Sequence, residues 1–214
     1  MRELFSQQLE KLHVELIEMG ALCEQAISRA YQVLMEEDQK AAQELRKKDA
    51  AIDAKEREIE SICLKILLQQ QPVASDLRQV SAALKMITDM ERIGDQASDI
   101  AEIVQTTHLK APGANIKIKE MAQITQRMVS KSVDAYVKQD LIIARQVIQE
   151  DDLVDKLFDE VKQELVQSLQ NKTSSEEQSL DYLMIAKYYE RIGDHATNIA
   201  EWVEFSVTGQ HEGE

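Results

Sequence analysis

The twelve residues from Glu91 to Glu102, ERIGDQASDIAE, return from Glu190 to Glu201 as ERIGDHATNIAE, with nine positions identical at a fixed offset of 99. A chain of 214 residues with such a repeat is two copies of one structural unit. Each copy must bury the same apolar face, and whatever the motif does is done twice. Within it Ile93, Ala97 and Ile100 recur at helical spacing, so the motif lies on a helix.

The duplication runs further. Asp49, Ile52 and Asp53 match Asp151, Val154 and Asp155 at an offset of 102, and Asp38 and Ala42 match Asp140 and Ala144. The fall from 102 to 99 leaves the second copy three residues shorter between its second and third helices, an indel that a turn tolerates. Apolar residues keep helical spacing elsewhere, as in Leu9, Leu12, Leu16 and Met19, in Ile59, Ile62, Ile66 and Leu67, and in Leu84 and Ile87. The breaks are Glu36-Glu37-Asp38, Gln69 to Pro72, Ala111-Pro112-Gly113 and Asn171 to Ser175, with a frayed tail expected from His211. With only 6 glycines and 2 prolines, the composition is that of a helical protein. The expectation is an all-α fold of six helices: two tandem, similar three-helix bundles, residues 1–111 and 112–214. Each is small enough that the two should share an interface.

A net charge of −14 disfavours contact with a nucleic-acid backbone and favours cations and basic protein surfaces. No run approaches the roughly 18 apolar residues that span a bilayer, and the start does not look like a signal peptide, so a cytoplasmic protein without membrane insertion is expected. Cys23 and Cys63 lie in apolar helical patterns and read as buried free thiols.

At ~100° per residue, with Glu91 at zero, Asp95 falls near 40°, Asp99 near 80° and Glu102 near 20°, while Ile93 and Ile100 fall near 200° and 180°. The acids form a stripe facing away from the core, repeated by Glu190, Asp194, Asn198 and Glu201. Gly94 and Gly193 flank it and would let a neighbouring helix come close. The second helices carry stripes of their own: Asp49, Asp53, Glu56 and Glu60, then Asp151, Asp155 and Asp159. Like charges at i,i+4 each cost a few tenths of a kcal/mol. If such helices are neighbours, the carboxylates gather, and hard cations, iron, zinc or manganese accept them. Two other readings stay open: a solvated surface face, and salt bridges from Arg92 and Arg191 to the neighbouring stripe.

Enzymatic readings fit less well. A di-iron bundle uses two Glu-x-x-His pairs facing inward, and the chain has one, Glu10 with His13, outside the repeat. His13 reads as a helix-surface residue. His195 is matched by Gln96, so duplicated chemistry would not rest on it, although it could be an accessory ligand. Trp202 and the tyrosines 182, 188 and 189 read as core and interface. No Gly-rich phosphate loop or Gly-x-Ser-x-Gly elbow occurs. The alternatives to a regulatory protein are a carboxylate-bridged metalloenzyme or metal store, and a purely structural helical scaffold.

Gln70 to Val80 (QQPVASDLRQV), the two ERIGD motifs and the paired aspartates of the second and fifth helices resemble the PhoU family, over nearly the whole chain. The resemblance implies two similar three-helix bundles and no enzymatic activity. It implies metal, iron or zinc, with manganese or magnesium also compatible, held by E/D-x-x-x-D motifs. Those match Asp49, Asp53, Glu91, Asp95 and Asp99 in the first half. In the second they match Asp151, Asp155, Glu190 and Asp194, with Asn198 continuing the series. It further implies a homodimer that represses phosphate-starvation signalling and bridges the ATP-binding subunit of a phosphate ABC transporter and a membrane sensor histidine kinase. Because Asp99 is matched by Asn198 and Glu56 by Phe158, the first site should be the more acidic.

Overall fold

The computed structural model describes residues 2–107, 109 and 115–210. The Ala111-Pro112-Gly113 boundary and the tail from His211 lie outside these residues. Six helices follow one another: α1 (Arg2–Glu36), α2 (Gln39–Gln70), α3 (Ser75–Thr106), α4 (Asn115–Lys138), α5 (Leu141–Gln170) and α6 (Glu176–Thr208). Among the described residues there is no strand.

Local chemistry sets the ends. Asp38 accepts hydrogen bonds from the backbone amides of Lys40 and Ala41 at the start of α2. Asp140, its repeat partner, does the same for Ile142 and Ile143 at the start of α5. Ser175 caps α6 through the amide of Gln178. Gln71 closes α2 in the left-handed region with φ 48°, and Gly209 closes α6 with φ 78°. The expected shortening of the second copy falls on the helices and not on the turn: α5 stops at Gln170, two residues before the position equivalent to Gln70, and α6 starts at Glu176, two after the position equivalent to Ser75.

α1, α2 and α3 pack on one another as one bundle, and α4, α5 and α6 as the other. α1 buries Leu12, Leu16, Met19, Cys23, Ile27, Ala30 and Val33, the stripe its spacing predicts. Both cysteines are free and buried, as expected. The bundles join through α1 against α4 and α3 against α6, leaving α2 and α5 on the outside. Each joining pair is antiparallel. Along α3, Arg78 reaches the Ser206 carbonyl, Asp89 meets His195, and Asp99 meets Tyr188. Between α1 and α4, a Cβ at Gly20 would sit 3.2 Å from Val133, and His13 stands edge-on to Tyr136. The copies are therefore related by an approximate two-fold, with one continuous core across both.

His13 departs from its expected surface position. It is half-buried between α1 and α4, its Nε2 is enclosed without a partner, and burial lowers its pKa. The Glu10–His13 spacing places the imidazole on the flank of the apolar stripe, where the second bundle covers it.

The two aspartate caps supply a direct check. Asp38→Ala and Asp140→Ala should each lower stability by about 1 kcal/mol, read as a fall in urea midpoint at unchanged slope.

Candidate metal centres

α2 crosses α3, and α5 crosses α6, with the acidic stripes turned towards each other. What brings the backbones together is the glycine of each motif. A Cβ on Gly94 would lie 2.8 Å from Ile52 Cδ1 and 3.0 Å from Asp49 Oδ1. A Cβ on Gly193 would lie 2.9 Å from Asp151 Oδ1. Each glycine is thus a seat for the aspartate of the neighbouring helix.

The first groove gathers Asp49 and Asp53 from α2 with Glu91, Asp95 and Asp99 from α3, all half-buried. They do not face open solvent, as the helical-wheel angle alone implies. α2 lies over them. Burial, then the charges of Asp95 and Asp53, push the Asp49 carboxyl up to about 6, even though the Ser98 hydroxyl donates to it. Burial and Asp95 raise Glu91 and Asp99 as well. Glu56 joins the same field, raised by burial and by Glu60. Arg92 turns back to its own helix, 3.1 Å from Asp95 and 3.6 Å from Glu91, rather than to the α2 stripe.

The second groove is built from the same positions, with Asp151 and Glu190 half-buried and Asp155 and Asp194 more exposed. Burial, then Asp194, Asp155 and Glu190, push Asp151 up to about 7. Its Oδ1 is enclosed with no hydrogen-bond partner, as are Glu190 Oε2 and the hydroxyl oxygen of Thr197, the counterpart of Ser98. The other Glu190 oxygen takes the ammonium of Lys187.

Asn198 does not continue the second series into the groove. Its amide donates to Asp89 Oδ1 at 3.1 Å, across the seam between bundles, and His195 Nδ1 meets the same oxygen at 2.9 Å. Asp99 is its two-fold mate and accepts from Tyr188, also across the seam, while still acting on Asp49. The position at 80° on the wheel belongs to the α3–α6 contact. Sequence reasoning also passed over Ser98, Thr197, Asp89 and Lys187. The repeat offset pairs Lys187 with Thr88, and that mismatch is the signal that marks it.

A PhoU domain model matches this chain twice, over residues 16–104 and 118–203. The chain belongs to the PhoU family. It is 36% identical over 211 residues to a Clostridium acetobutylicum protein named as a phosphate-specific transport system accessory protein PhoU homolog, covering 98% of this chain and 96% of that one. A homolog of the same description from Pseudomonas aeruginosa is 34% identical over 96% of this chain and 86% of its own. The crystal structure of PhoU from Pseudomonas aeruginosa superimposes with a TM-score of 0.89 at 34% identity, over 96% of this chain and 100% of that one. The phosphate transport system regulatory protein PhoU from Streptococcus pneumoniae superimposes with a TM-score of 0.90 at 25% identity, over 98% and 100%. The matched PhoU segments contain both grooves entire.

The donor set fits a cation. It is almost wholly oxygen, it is acidic beyond what its own arginines and lysine neutralise, and in the second groove two carboxylate oxygens are enclosed with no partner. Among the described residues no three acids, histidines or cysteines converge on one ion-sized point in their present rotamers, so taking up an ion requires side-chain rotation.

Two expectations follow. In an open helix, glycine to alanine gains ~1 kcal/mol; Gly94→Ala should instead lose about 1–3 kcal/mol because Ile52 is displaced in the core, measured by chemical unfolding. The second concerns pH. Asp49 and Asp151 have folded pKa values above their unfolded ones, so their ionisation opposes folding. Their contribution is fully present below about pH 4 and is lost as pH rises to about 6 for Asp49 and about 7 for Asp151. In chelator-treated protein, Asp151→Asn should raise the melting temperature at about pH 8 and flatten its fall between pH 5 and 8. A lower melting temperature would mean that the carboxylate is stabilised by a partner.

Proposed function

We propose that this chain is a non-enzymatic regulatory adaptor of phosphate homeostasis whose two carboxylate grooves bind metal. The observation that carries the adaptor reading is the end-to-end likeness to accessory proteins of phosphate-specific transport systems, at 36% identity over 98% of this chain for one of them. The metal reading rests on the grooves themselves. Asp49, Asp53, Glu91, Asp95 and Asp99 would hold metal in the first. Asp151, Asp155, Glu190 and Asp194 would hold it in the second, with Asn198 at its edge only if it leaves Asp89.

Iron or zinc are the metals proposed, with manganese or magnesium suited to the same oxygens. The ion would neutralise carboxylates that now repel one another, and so would clamp α2 to α3 and α5 to α6. The chain's own residues set this up: the glycines seat Asp49 and Asp151, Ser98 orients Asp49, and the surrounding core keeps the helices from separating. Clamping would stiffen an acidic face that suits a basic protein surface. Among the described residues no helix is long and apolar enough to cross a membrane. The partners proposed are the ATP-binding subunit of a phosphate ABC transporter and a membrane sensor histidine kinase, met from the cytoplasmic side by a homodimer. The outcome proposed is repression of phosphate uptake and of starvation signalling when phosphate is plentiful.

Capture of the tagged chain from cells grown at high and at low phosphate tests the adaptor. Transporter or kinase components should be recovered under at least one condition, and their absence from both would overturn it. For the metal, the comparison is content per chain in wild type and in Asp49→Asn/Asp95→Asn/Asp151→Asn/Asp194→Asn, purified without chelator. The variant should lose most of it; equal content in the two would remove the grooves as sites.

A further inference from the structure

The two grooves differ at several paired positions, three of which bear on the groups around Glu91 and Glu190. Glu56 of the first is Phe158 in the second, Thr88 is Lys187, and Asp99 is Asn198. The first two substitutions act together. Lys187 leans from α6, one turn before Glu190, and ion-pairs with Glu190 Oε1. Its ammonium also lies 5.5 Å from the centre of the Phe158 ring, a cation–π distance. The phenyl ring that replaces a carboxylate therefore holds the cation that replaces a threonine. No equivalent positive charge can reach Glu91 from position 88 of the first groove.

We propose that Lys187 is a tethered cation that fills part of the second groove, so that this groove takes fewer metal ions than the first. This rests on the reading that the grooves bind metal. An ammonium carries three donors and no lone pair, so it cannot ligate a metal, and it repels one. It also occupies the Glu190 oxygen that would otherwise be a ligand. Asn198, an amide bonded to Asp89, adds no negative charge to offset it. The oxygens left over are Asp151 Oδ1 and Glu190 Oε2, enclosed and without partners, together with the more exposed Asp155 and Asp194. The first groove keeps Asp49, Asp53, Glu56, Glu91, Asp95 and Asp99, with Arg92 as its nearby cation. Each groove is thus partly neutralised by the chain itself, through Arg92 in the first and Lys187 in the second, but the first keeps six carboxylates and the second four.

Native mass spectrometry of chelator-stripped full-length chain titrated with zinc counts bound ions directly. Lys187→Thr/Phe158→Glu restores the first groove's chemistry in the second and should gain about one zinc ion per chain. Thr88→Lys/Glu56→Phe makes the reverse exchange and should lose about one. Lys187→Met keeps the aliphatic stem against Phe158 and removes only the charge; it guards against a variant that fails to fold, and should tighten zinc binding with circular dichroism unchanged. A wild-type chain that binds zinc, alongside variants of unchanged stoichiometry and affinity, overturns the role of Lys187 and leaves the sites standing. A wild-type chain that binds no zinc, iron or manganese overturns the sites and this inference together.

Discussion

Where α2 crosses α3, an Ile52 methyl and an Asp49 oxygen take the space that a side chain at residue 94 would need. The same exchange recurs at Gly193 with Asp151. Glycine within a helix sacrifices ~1 kcal/mol of helix propensity. Here that loss brings the backbones close enough for the aspartate of one helix to sit against the next. The half-burial of the acids follows from this contact, as does the rise of Asp49 and Asp151 above ordinary carboxylates.

Magnitudes explain why the acids do not push the helices apart. Each exposed like-charge pair along a helix costs a few tenths of a kcal/mol, and the half-buried Asp49 and Asp151 cost more, as their raised pKa values show. Ile52 beside Asp49, and Ile59, Cys63, Ile66, Met86, Met90 and Ile93 along the core of the same helices, are buried, the larger side chains each worth about 1.5–3 kcal/mol. The core therefore holds the carboxylates in place against their repulsion. Packing alone therefore gathers the carboxylates of two helices into each groove, although among the described residues no three of them converge on one ion-sized point.

The seam between the bundles explains how two copies came to differ. An antiparallel two-fold sets position 89 of α3 against 198 of α6, and 99 against 188. Asp99 with Tyr188 and Asp89 with Asn198 are the two results. Each residue of the motif thus answers to two demands, one from its groove and one from the seam. On the first side an aspartate serves both. On the second, the partner across the seam is itself an acid, and an amide that donates to it is favoured where a carboxylate would repel.

The duplication, the six helices, the capping roles of Asp38 and the 171–175 turn, the buried cysteines and the apolar stripes were all legible in the sequence, because they depend on spacing within one helix. The aspartates of α2 and α5 were identifiable too, since both copies retain them. His13, Asn198, Arg92 and Lys187 were not. Whether His13 is covered depends on where α4 lies. Whether Asn198 faces the groove depends on how α6 is rotated against α3. Helical angles near 80° lie between two neighbours, and no spacing rule says which neighbour claims them. By itself, then, the sequence determined two acidic three-helix units with an aspartate and a glycine at matching places in each. Only the tertiary structure decided that each glycine receives the facing aspartate, that the third position of each stripe belongs to the seam, and that a lysine stands in one groove alone. Those outcomes turn on the relative rotation of packed helices, which is set by the whole core rather than by any one segment.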